Sequence, residues 1–290
     1  MLIVAPNHMD LVQNLVDHLT LEKIDSNIFQ GTSKEVASTR VFGGQVLAQA
    51  LHAVSNTVEK DRTIHSMHAY FILPGNTADK ITYIVDRTRD GSSFTTRRVR
   101  AIQYGKDIFI MAASFQKIQP GLDHQIEMPK VPFPDDLVTD QELATKFGDF
   151  ISDKFKEMIR VRPIEFKPVE MPDLFTPIKS KPFQHVWLRA KGALPDDPRM
   201  HQQVLAYASD YNLLTTAMRP HEVTLKDVQL ASLDHAMWFH RPFKADEWLL
   251  YALESPSTSN SRGFTRGNIF DQQGQLVASV MQEGLVRKVN

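Results

Sequence analysis

The chain has 290 residues, of which 42% are hydrophobic and 23% charged, so it is long enough for two domains and can bury a sizeable core. Its formal net charge of -1 argues against nucleic acid or an anionic membrane surface as the main partner. It contains no cysteine, which excludes disulfides, thiolate catalysis and zinc–thiolate sites.

Neither end of the sequence matches a known targeting signal. The first residues, MLIVAPNHMDLVQNL, lack the basic segment and the long apolar core of a signal peptide. No run approaches the ~18 continuous apolar residues of a membrane span. The last residues, VRKVN, are not a peroxisomal address of the serine-lysine-leucine type. We therefore expect a cytoplasmic protein without a membrane span.

Residues 1–119 show the pattern of a strand, a helix and then three or four strands. NIFQGTS (27–33) is typical of the opening strand, and FGGQVLAQALHAV (42–54) has apolar residues at helical spacing. ITYIVDRT (81–88) carries the aromatic and β-branched residues of a strand, and Asp90 and Gly91 form a turn signal after it. One helix against a long antiparallel sheet is an α+β arrangement.

Residues 181–290 repeat this order. HVWLRAKG (185–192) is the predicted opening strand and YASDYNLLTTAM (207–218) the predicted helix. IHSMHAYFILPG (64–75) is echoed by LDHAMWFHRPF (233–243), and in each the aromatic pair is followed by two residues and then a proline. SSFTTRRV (92–99) is likewise echoed by RGFTRGNI (262–269). The sequence thus predicts two similar halves.

Residues 120–180 form the predicted connection between the halves. Eleven of the 16 prolines lie between residues 120 and 198, and prolines at this density interrupt helices and interior strands. We expect a single short helix near residues 139–160, where QELATKFGDFISDKF has helical spacing. A small third domain is the alternative, but the apolar content is too thin to favour it.

The segments VFGGQVLAQAL, RDGSSFTTRRV, SLDHAMWFHRPF, SRGFTRG and VMQEGLVR resemble, in this order, the double hot-dog acyl-CoA thioesterases of the thioesterase II type. The resemblance covers nearly the whole chain. It implies a tandem hot-dog fold in which each half has a long helix wrapped by a curved antiparallel sheet. It also implies hydrolysis of fatty acyl-CoA to fatty acid and CoA without a metal or organic cofactor, and a homo-oligomer, either a dimer or a tetramer.

The resemblance further implies a catalytic trio at Asp210, Ser232 and Gln282, with serine at a position that is often threonine in relatives. Hydrolysis without an acyl-enzyme needs a positioned water, from which a carboxylate can accept a proton while a hydroxyl and an amide orient it. Backbone N–H groups at a helix end would stabilise the oxyanion. Each residue also has a structural reading: a helix N-cap, a local backbone bond at a strand start, and an exposed residue on an edge strand.

Comparing the halves predicts one hydrolytic site per chain. Alignment of the predicted helices places Gln45 at the position of Asp210, and alignment of the strands places Ile64 at the position of Ser232. Gln116 is matched with Gln282. Since the first half lacks both the carboxylate and the hydroxyl, we expect it to shape the acyl groove.

Basic residues are the candidates for substrate binding. Planar guanidinium groups suit phosphate oxygens, so five positions could contact the substrate or its CoA phosphates, although a solvated strand face or a structural histidine is the alternative for each. His65 and His68 are three residues apart on one predicted strand, so they face opposite sides and do not suggest a paired metal site. His235 and His240 are further pocket candidates. The five substrate-binding candidates are His65, Arg97, Arg98, Arg262 and Arg266.

Two other functions compete with hydrolysis. An enoyl-CoA hydratase of the hot-dog type would use Asp196 and His201 in DDPRMH, but the asparagine of the hydratase motif is missing and Pro198 is displaced by one position. A protein that binds acyl-CoA without turnover would have been favoured by an incomplete trio. Loss of Asp210 would be tolerated by a hydratase, which distinguishes it from the hydrolase.

Overall fold

The computed structural model describes residues 7–34, 40–146, 148, 153–170 and 178–289. These residues form six α-helices, one short 3-10 turn at Pro134–Asp136 and thirteen strands. The helices are α1 (His8–Leu19), α2 (Gly43–Ser55), α3 (Asp140–Lys146), α4 (Asp153–Val161), α5 (Pro198–Ser209) and α6 (Leu213–Met218). The strands are β1 (Glu22–Asp25), β2 (Ile28–Gly31), β3 (Arg62–Phe71), β4 (Ile81–Asp90), β5 (Phe94–Gln103), β6 (Lys106–Lys117), β7 (Ile164–Pro168), β8 (Phe183–Ala190), β9 (Val228–Ser232), β10 (Asp234–Phe239), β11 (Leu249–Ser259), β12 (Arg262–Phe270) and β13 (Leu276–Lys288).

One antiparallel sheet joins all the strands of the described residues. Its order is β1-β2-β4-β5-β6-β3-β10-β13-β12-β11-β8-β7, with β9 paired to β13. The order is the same read outward from either side of the central pair of β3 and β10, where Met67 lies opposite Met237. Each half therefore has the same topology, with its long helix between its second and third strands. The tandem hot-dog fold of the α+β class is confirmed.

Helices α2 and α5 pack against each other in antiparallel orientation. Eleven of the 13 residues of α2 are buried, because the helix lies between α5 and the strands of the first half. Arg199, in the first turn of α5, donates to the carbonyl of Ser55 at the end of α2. At the other end of the pair, Gly44 of α2 is next to Tyr207 of α5. The predicted helix of the first half is confirmed.

The predicted helix over residues 207–218 is wrong. Helix α5 begins at Pro198, which has the preset φ of a first helical position, after the N-cap Asp197. It ends at Ser209 with Asp210 as its C-cap residue. Asn212 has a left-handed φ of 69° and precedes the separate short helix α6. Asp210 thus lies at a break between two helices and not within one helix.

These bounds change the alignment of the two halves. Helix α2 ends at Ser55 with Asn56 as its C-cap, and α5 ends at Ser209 with Asp210 as its C-cap. The counterpart of Asp210 is therefore Asn56, an amide of the same shape, and not Gln45.

The match of Gln116 with Gln282 is also off by one residue. Gln116 lies opposite Phe94 across β5 and β6, whereas Glu283 lies opposite Phe264 across β12 and β13. Because Phe94 and Phe264 are equivalent in the repeat, Gln116 corresponds to Glu283. Side chains of a strand alternate between its faces, so this one-residue difference places Gln116 on the opposite face of the sheet from Gln282.

The connection contains two helical segments, α3 and α4, where a single helix was predicted. Residues 147 and 149–152 of that prediction lie outside the described residues. Strand β7 joins the sheet beside β8, and the Trp187 indole donates to the carbonyl of Pro132 at 3.0 Å. Trp187 also forms a buried cluster with Trp248, Leu250 and Phe270, against which apolar residues of the connection pack. The connection thus covers the second half of the sheet.

Within the described ranges, no helix is long and apolar enough to cross a membrane. In the same ranges, no three side chains of histidine, aspartate or glutamate are grouped so that they could hold a metal ion.

Candidate active site

Asp210, Ser232 and Gln282 come from three different elements and meet at one place. The Ser232 hydroxyl oxygen is 3.4 Å from Oδ1 of Asp210. The Gln282 side-chain amide donates to the same hydroxyl oxygen at 2.9 Å. The structure therefore brings the three predicted residues together, while their catalytic role stays a prediction.

A β-bulge positions Ser232. Ser232 lies opposite Gly284 on β13, whereas Ala236 lies opposite Met281, so four residue steps on one side match three on the other. Such an extra residue bends a strand and redirects its side chains. Ser232 is consequently the last residue of β9, two residues before β10 begins, and does not start a strand as its structural reading assumed.

Gln282 lies on an interior strand. Strand β13 is flanked by β10 and β12, and the Gln282 side chain is 1% exposed. The reading of Gln282 as an exposed residue on an edge strand is therefore wrong. A buried amide needs partners for both its donor and its acceptor. Gln282 finds them in Ser232 and in His235, whose Nδ1 is 2.6 Å from the amide oxygen.

The first half of the chain contributes the N-terminus of α2 to this site. The backbone N–H of Gly44 donates to Oδ2 of Asp210 at 2.9 Å. The N-cap residue, Phe42, makes no side-chain capping bond, and the N–H of Gly43 has no partner among the residues that the structure describes. The amides at a helix N-terminus carry partial positive charge, so this end of α2 suits a carboxylate and a developing oxyanion.

Burial raises the pKa of the Asp210 carboxyl above its ordinary value. The charge of His235 and the hydrogen bonds from Gly44, Gln282 and Ser232 oppose this shift without cancelling it. The rings of Phe42, Tyr207 and Tyr211 form an aromatic cluster at the same end of the helix pair, with centroid separations of 4.6 to 6.0 Å. Such surroundings solvate a charge poorly, which makes the carboxylate a stronger base than an exposed aspartate.

His235 was only one of several histidine candidates in the sequence, and the structure places it directly behind the trio. It is fully buried on β10, with Nδ1 next to Gln282 and Nε2 3.0 Å from the Ser209 hydroxyl. Burial lowers the pKa of His235, although the Asp210 carboxylate opposes the shift. The sequence held a signal for it, because His235 alternates with the inward-facing Met237 and Phe239.

Arg97 is not available for substrate, contrary to the prediction. Its side chain is 1% exposed and donates to the hydroxyl and carbonyl of Thr57, to the carbonyls of Arg89 and Thr96, and to the Asp90 carboxylate at 2.6 Å. The guanidinium is thus fully used in holding the turn between β4 and β5 to the end of α2.

Among the described residues, none of the other basic candidates makes a hydrogen bond or ion pair with the trio. His65 is half-buried on β3, and its Nε2 is 2.8 Å from the Ser114 hydroxyl. Arg98 is exposed and has no ion pair among the described residues. Arg262 pairs with Glu283 at 2.9 Å and Arg266 with Glu254 at 2.6 Å, both partly exposed. Contact of these four residues with substrate stays a prediction.

The hydratase candidates lie at the opposite end of α5. The Asp196 carboxylate is exposed and pairs with Lys244 at 3.1 Å. Nδ1 of the buried His201 accepts from the backbone N–H of Ala245 at 3.0 Å. Both residues line a cavity of about 350 Å³, but no hydrogen bond joins them. Asp196 and His201 therefore do not form the aspartate–histidine pair that the hydratase reading requires, and the carboxylate beside His201 is that of Asp246, at 3.8 Å from Nδ1.

The symmetry-related end of the helix pair is closed by an arginine. Where Asp210 and Gly44 meet at one end, Arg199 fills the other end and donates to the carbonyls of Ser55, Val58 and Glu59 at 2.7, 3.3 and 2.7 Å. The C-cap residue there is Asn56. At this end an amide stands at the position of Asp210, and the N–H of Arg199 in the first turn of α5 is already capped by the Asp197 carboxylate at 3.0 Å.

Two family models match the chain. One is described as "Acyl-CoA thioesterase" and matches residues 155–285, and the other, "Acyl-CoA thioesterase N-terminal domain", matches residues 32–116. The chain is 39% identical to Acyl-CoA thioesterase 2 of Haemophilus influenzae over 281 residues, covering 96% of this chain and 98% of the relative. It is 42% identical to human Acyl-coenzyme A thioesterase 8 over 281 residues, covering 93% and 87% of the two chains.

Solved structures agree with these relatives. The crystal structure of an acyl-CoA thioesterase II, TesB2, from Mycobacterium marinum superimposes with a TM-score of 0.79 at 42% identity, and 95% of this chain and 99% of that chain are covered. A protein of Alicyclobacillus acidocaldarius described as having a hot-dog fold has a TM-score of 0.77 at 16% identity, with 96% and 99% covered, which supports the fold alone. The chain belongs to the acyl-CoA thioesterase II family, a family of thioester hydrolases.

Proposed function

We propose that this protein hydrolyses fatty acyl-CoA to a free fatty acid and CoA, with a water molecule activated by Asp210. The observation that carries the proposal is the position of the Asp210 carboxylate. It lies between the N-terminal amides of α2 and the Ser232–Gln282 pair, in surroundings that raise its pKa. This arrangement supplies one base and two groups that orient water, which is what direct hydrolysis requires.

Asp210 is the proposed general base. The water oxygen attacks the thioester carbonyl carbon while one water proton moves to the Asp210 carboxylate. The tetrahedral intermediate then collapses with cleavage of the carbon–sulfur bond, and the proton on Asp210 passes to the departing thiolate. The products are the fatty acid and the CoA thiol, and the carboxylate is restored. A raised pKa suits both transfers, because the carboxyl can accept and then return a proton.

Ser232 and Gln282 are the proposed water-orienting residues. Because the Gln282 amide donates to the Ser232 oxygen, the Ser232 hydroxyl proton is left to point toward Asp210. The separation of 3.4 Å between Ser232 and Asp210 is too long for a strong hydrogen bond between hydroxyl and carboxylate. A water held by both groups would therefore be fixed in its direction of attack.

The proposed oxyanion donor is the N–H of Gly43. It has no partner among the described residues, it follows an uncapped helix start, and its neighbour Gly44 already binds Asp210. A Cβ built on residue 43 would lie 2.7 Å from Oδ2 of Asp210. The backbone of Gly43, with its N–H, therefore lies directly beside the base. A helix N-terminus beside the base can thus stabilise the intermediate that the base helps to form.

One hydrolytic site per chain is the proposed stoichiometry. Arg199 and Asn56 occupy the symmetry-related end, so the first half contributes its helix N-terminus and not a second base. Active-site titration with a slowly turned-over acyl-CoA analogue should therefore give one site per chain. A value of two would contradict this stoichiometry. The homo-oligomer stays a prediction, which light scattering of the purified protein would test.

The experiment follows free thiol during incubation with saturated acyl-CoAs of several chain lengths. The chain has no cysteine, so a chromogenic disulfide reagent reports only released CoA. We expect Asp210→Asn to lower kcat by about 10²–10⁴-fold, because an amide of the same shape cannot accept the proton. Asp196→Asn is the matched control, since Asp196 is exposed and lies at the far end of α5. Full activity in Asp210→Asn would refute the role of this base.

A further inference from the structure

His235 stands behind the trio without touching the position proposed for the substrate. Ala236 lies opposite Met281 in the antiparallel pair of β10 and β13. The next pair in this register is His235 opposite Gln282, so their side chains share a face of the sheet. Nδ1 of His235 is 2.6 Å from Oε1 of Gln282, and the Gln282 amide nitrogen is 2.9 Å from Ser232. A buried chain of contacts therefore runs from His235 through Gln282 and Ser232 to Asp210.

When His235 is neutral, the hydrogen bonds along this chain of contacts can run in either of two donor-to-acceptor directions. If Nδ1 carries the proton, it donates to Oε1 of Gln282, and the Gln282 nitrogen must then face Ser232. Ser232 accepts from that amide and keeps its own proton for Asp210. If Nε2 carries the proton instead, it donates to the Ser209 hydroxyl. Gln282 then turns its nitrogen to His235 and its oxygen to Ser232, and that oxygen takes the Ser232 proton away from Asp210.

The charge of Asp210 favours the first direction. An ionised carboxylate only accepts hydrogen bonds. In the first arrangement the Gly44 N–H, the Ser232 hydroxyl and the Gln282 amide can all donate to Asp210. In the second it keeps only the Gly44 N–H. The Ser209 hydroxyl fits either arrangement, because it lies 3.0 Å from Nε2 of His235 and 2.9 Å from the carbonyl of Ala206.

We propose that His235 is a positioning residue of the thioesterase reaction: its Nδ1–H fixes the amide orientation of Gln282 and thereby directs the Ser232 hydroxyl toward Asp210. This inference rests on the proposed function, since it names a determinant of the same site. If His235 only filled space, no proton would be needed at Nδ1. If it positions Gln282, Nδ1 must carry the proton.

Two substitutions separate positioning from packing. In asparagine the side-chain nitrogen is as many bonds from Cβ as Nδ1 of histidine, and in glutamine as many as Nε2. His235→Asn therefore keeps a donor for Gln282, and His235→Gln keeps one for Ser209. Glutamine fills the buried space better than asparagine, so a packing role favours His235→Gln. Positioning favours His235→Asn.

The measurement is kcat and KM for acyl-CoA hydrolysis per folded protein, with folding checked by the melting temperature. We expect His235→Gln to lose about 10–100-fold in kcat relative to His235→Asn, because the supporting hydrogen bond is lost while the trio remains, and KM to be similar in the two variants. A His235→Gln variant as active as His235→Asn, or more active, would overturn the proposal.

Neutron diffraction of the wild-type protein provides a test without substitution. After exchange in deuterium oxide, deuterium on Nδ1 of His235 and on the Gln282 atom facing Ser232 is expected. Deuterium on Nε2 alone, with the Gln282 oxygen facing Ser232, would overturn the assignment even if both variants failed to fold. Failure of the proposed function has a different signature, because the wild-type protein would then release no CoA at all.

Discussion

The backbone N–H of Gly44 donates a hydrogen bond of 2.9 Å to the Asp210 carboxylate, although 166 residues of chain separate the two. Gly44 lies in the first turn of the helix of the first half, and Asp210 is the C-cap residue of the main helix of the second half. Because α2 and α5 are antiparallel, the start of one meets the end of the other. The candidate site is therefore assembled from both halves, and neither half contains it alone.

Gly43 should not tolerate even a methyl group without loss of activity. In Gly43→Ala the Cβ would lie 2.7 Å from Oδ2 of Asp210 and 3.1 Å from the Phe71 ring, so the carboxylate must move. A displacement of about 1 Å at a reacting group can cost about a hundredfold in rate. Alanine is a better helix former than glycine, so we expect a fall in kcat with little loss in melting temperature. Gly121→Ala is the matched control, since a Cβ there meets nothing within 4 Å. Equal activity of the two variants would contradict the proposed geometry.

The pH profile of kcat/KM should report the raised pKa of Asp210. The base works only when ionised, and burial moves its pKa above the ordinary value of about 3.8. We therefore expect the acid limb of the profile to lie above that value and to disappear from the residual activity of Asp210→Asn. Steady-state rates across acid and neutral pH measure both. An acid limb at the position of an exposed aspartate would show that the carboxylate is better solvated than this site implies.

The same shift predicts a stability effect with a defined sign. A carboxyl whose pKa is raised on folding stabilises the folded state below its unfolded pKa, and this contribution is lost as the pH rises through the raised folded value. Asp210→Asn, which never ionises, should therefore melt at a higher temperature than the wild type at neutral pH. The two should converge below pH ~4, where Asp210 is protonated in both states. Thermal melts of both proteins over this pH range test the sign. A melting-temperature difference, Asp210→Asn minus wild type, that is smaller at neutral pH than at acid pH would contradict it.

Ser232 should accept threonine but not alanine. Threonine keeps the hydroxyl that Gln282 and Asp210 share, and its branched Cβ restricts the side chain to fewer rotamers. Alanine leaves the buried Gln282 amide without its acceptor, and an unpaired buried donor costs roughly 1–3 kcal/mol. We expect Ser232→Thr to retain most of kcat and Ser232→Ala to lose activity and stability together. The thiol-release assay and thermal melts on both variants provide the comparison. Equal rates for the two would show that the hydroxyl is not used.

Arg97 and Arg98 are neighbours in sequence with opposite expected effects. Arg97→Ala leaves the buried hydroxyl and carbonyl of Thr57 without their donor, so we expect a loss of stability of roughly 1–3 kcal/mol with KM unchanged. Arg98→Ala should leave the melting temperature unchanged, because that side chain is exposed. If Arg98 contacts the CoA phosphates, its removal raises KM and weakens the salt dependence of KM. Urea titrations and KM at two ionic strengths decide both cases.

The sequence predicted the architecture well because its signals are local or repeated. The 3.6-residue period of α2 is visible in Val46, Leu47 and Ala50, since that helix is apolar on nearly all sides. The aromatic pairs and turn signals recur in both halves, so the α+β tandem order follows from the sequence alone. The identities of Asp210, Ser232 and Gln282 came from the family resemblance, which the relatives confirm at the level of the family.

Only the tertiary structure decided where those residues act. Apolar residues continue from α5 into α6, so periodicity could not reveal the break at Asn212 that leaves Asp210 at a helix end. Whether Arg97 is buried depends on Thr57 and Asp90, which the strand pattern does not place beside it.

Register decided the rest. A side chain changes face with each residue along a strand, so the bulge after Ser232 and the one-residue offset of Gln116 determine which polar groups meet. The sequence by itself determined the fold, the family and the chemical types available to the site. Their meeting point depended on contacts between residues far apart in the chain, which no local pattern encodes.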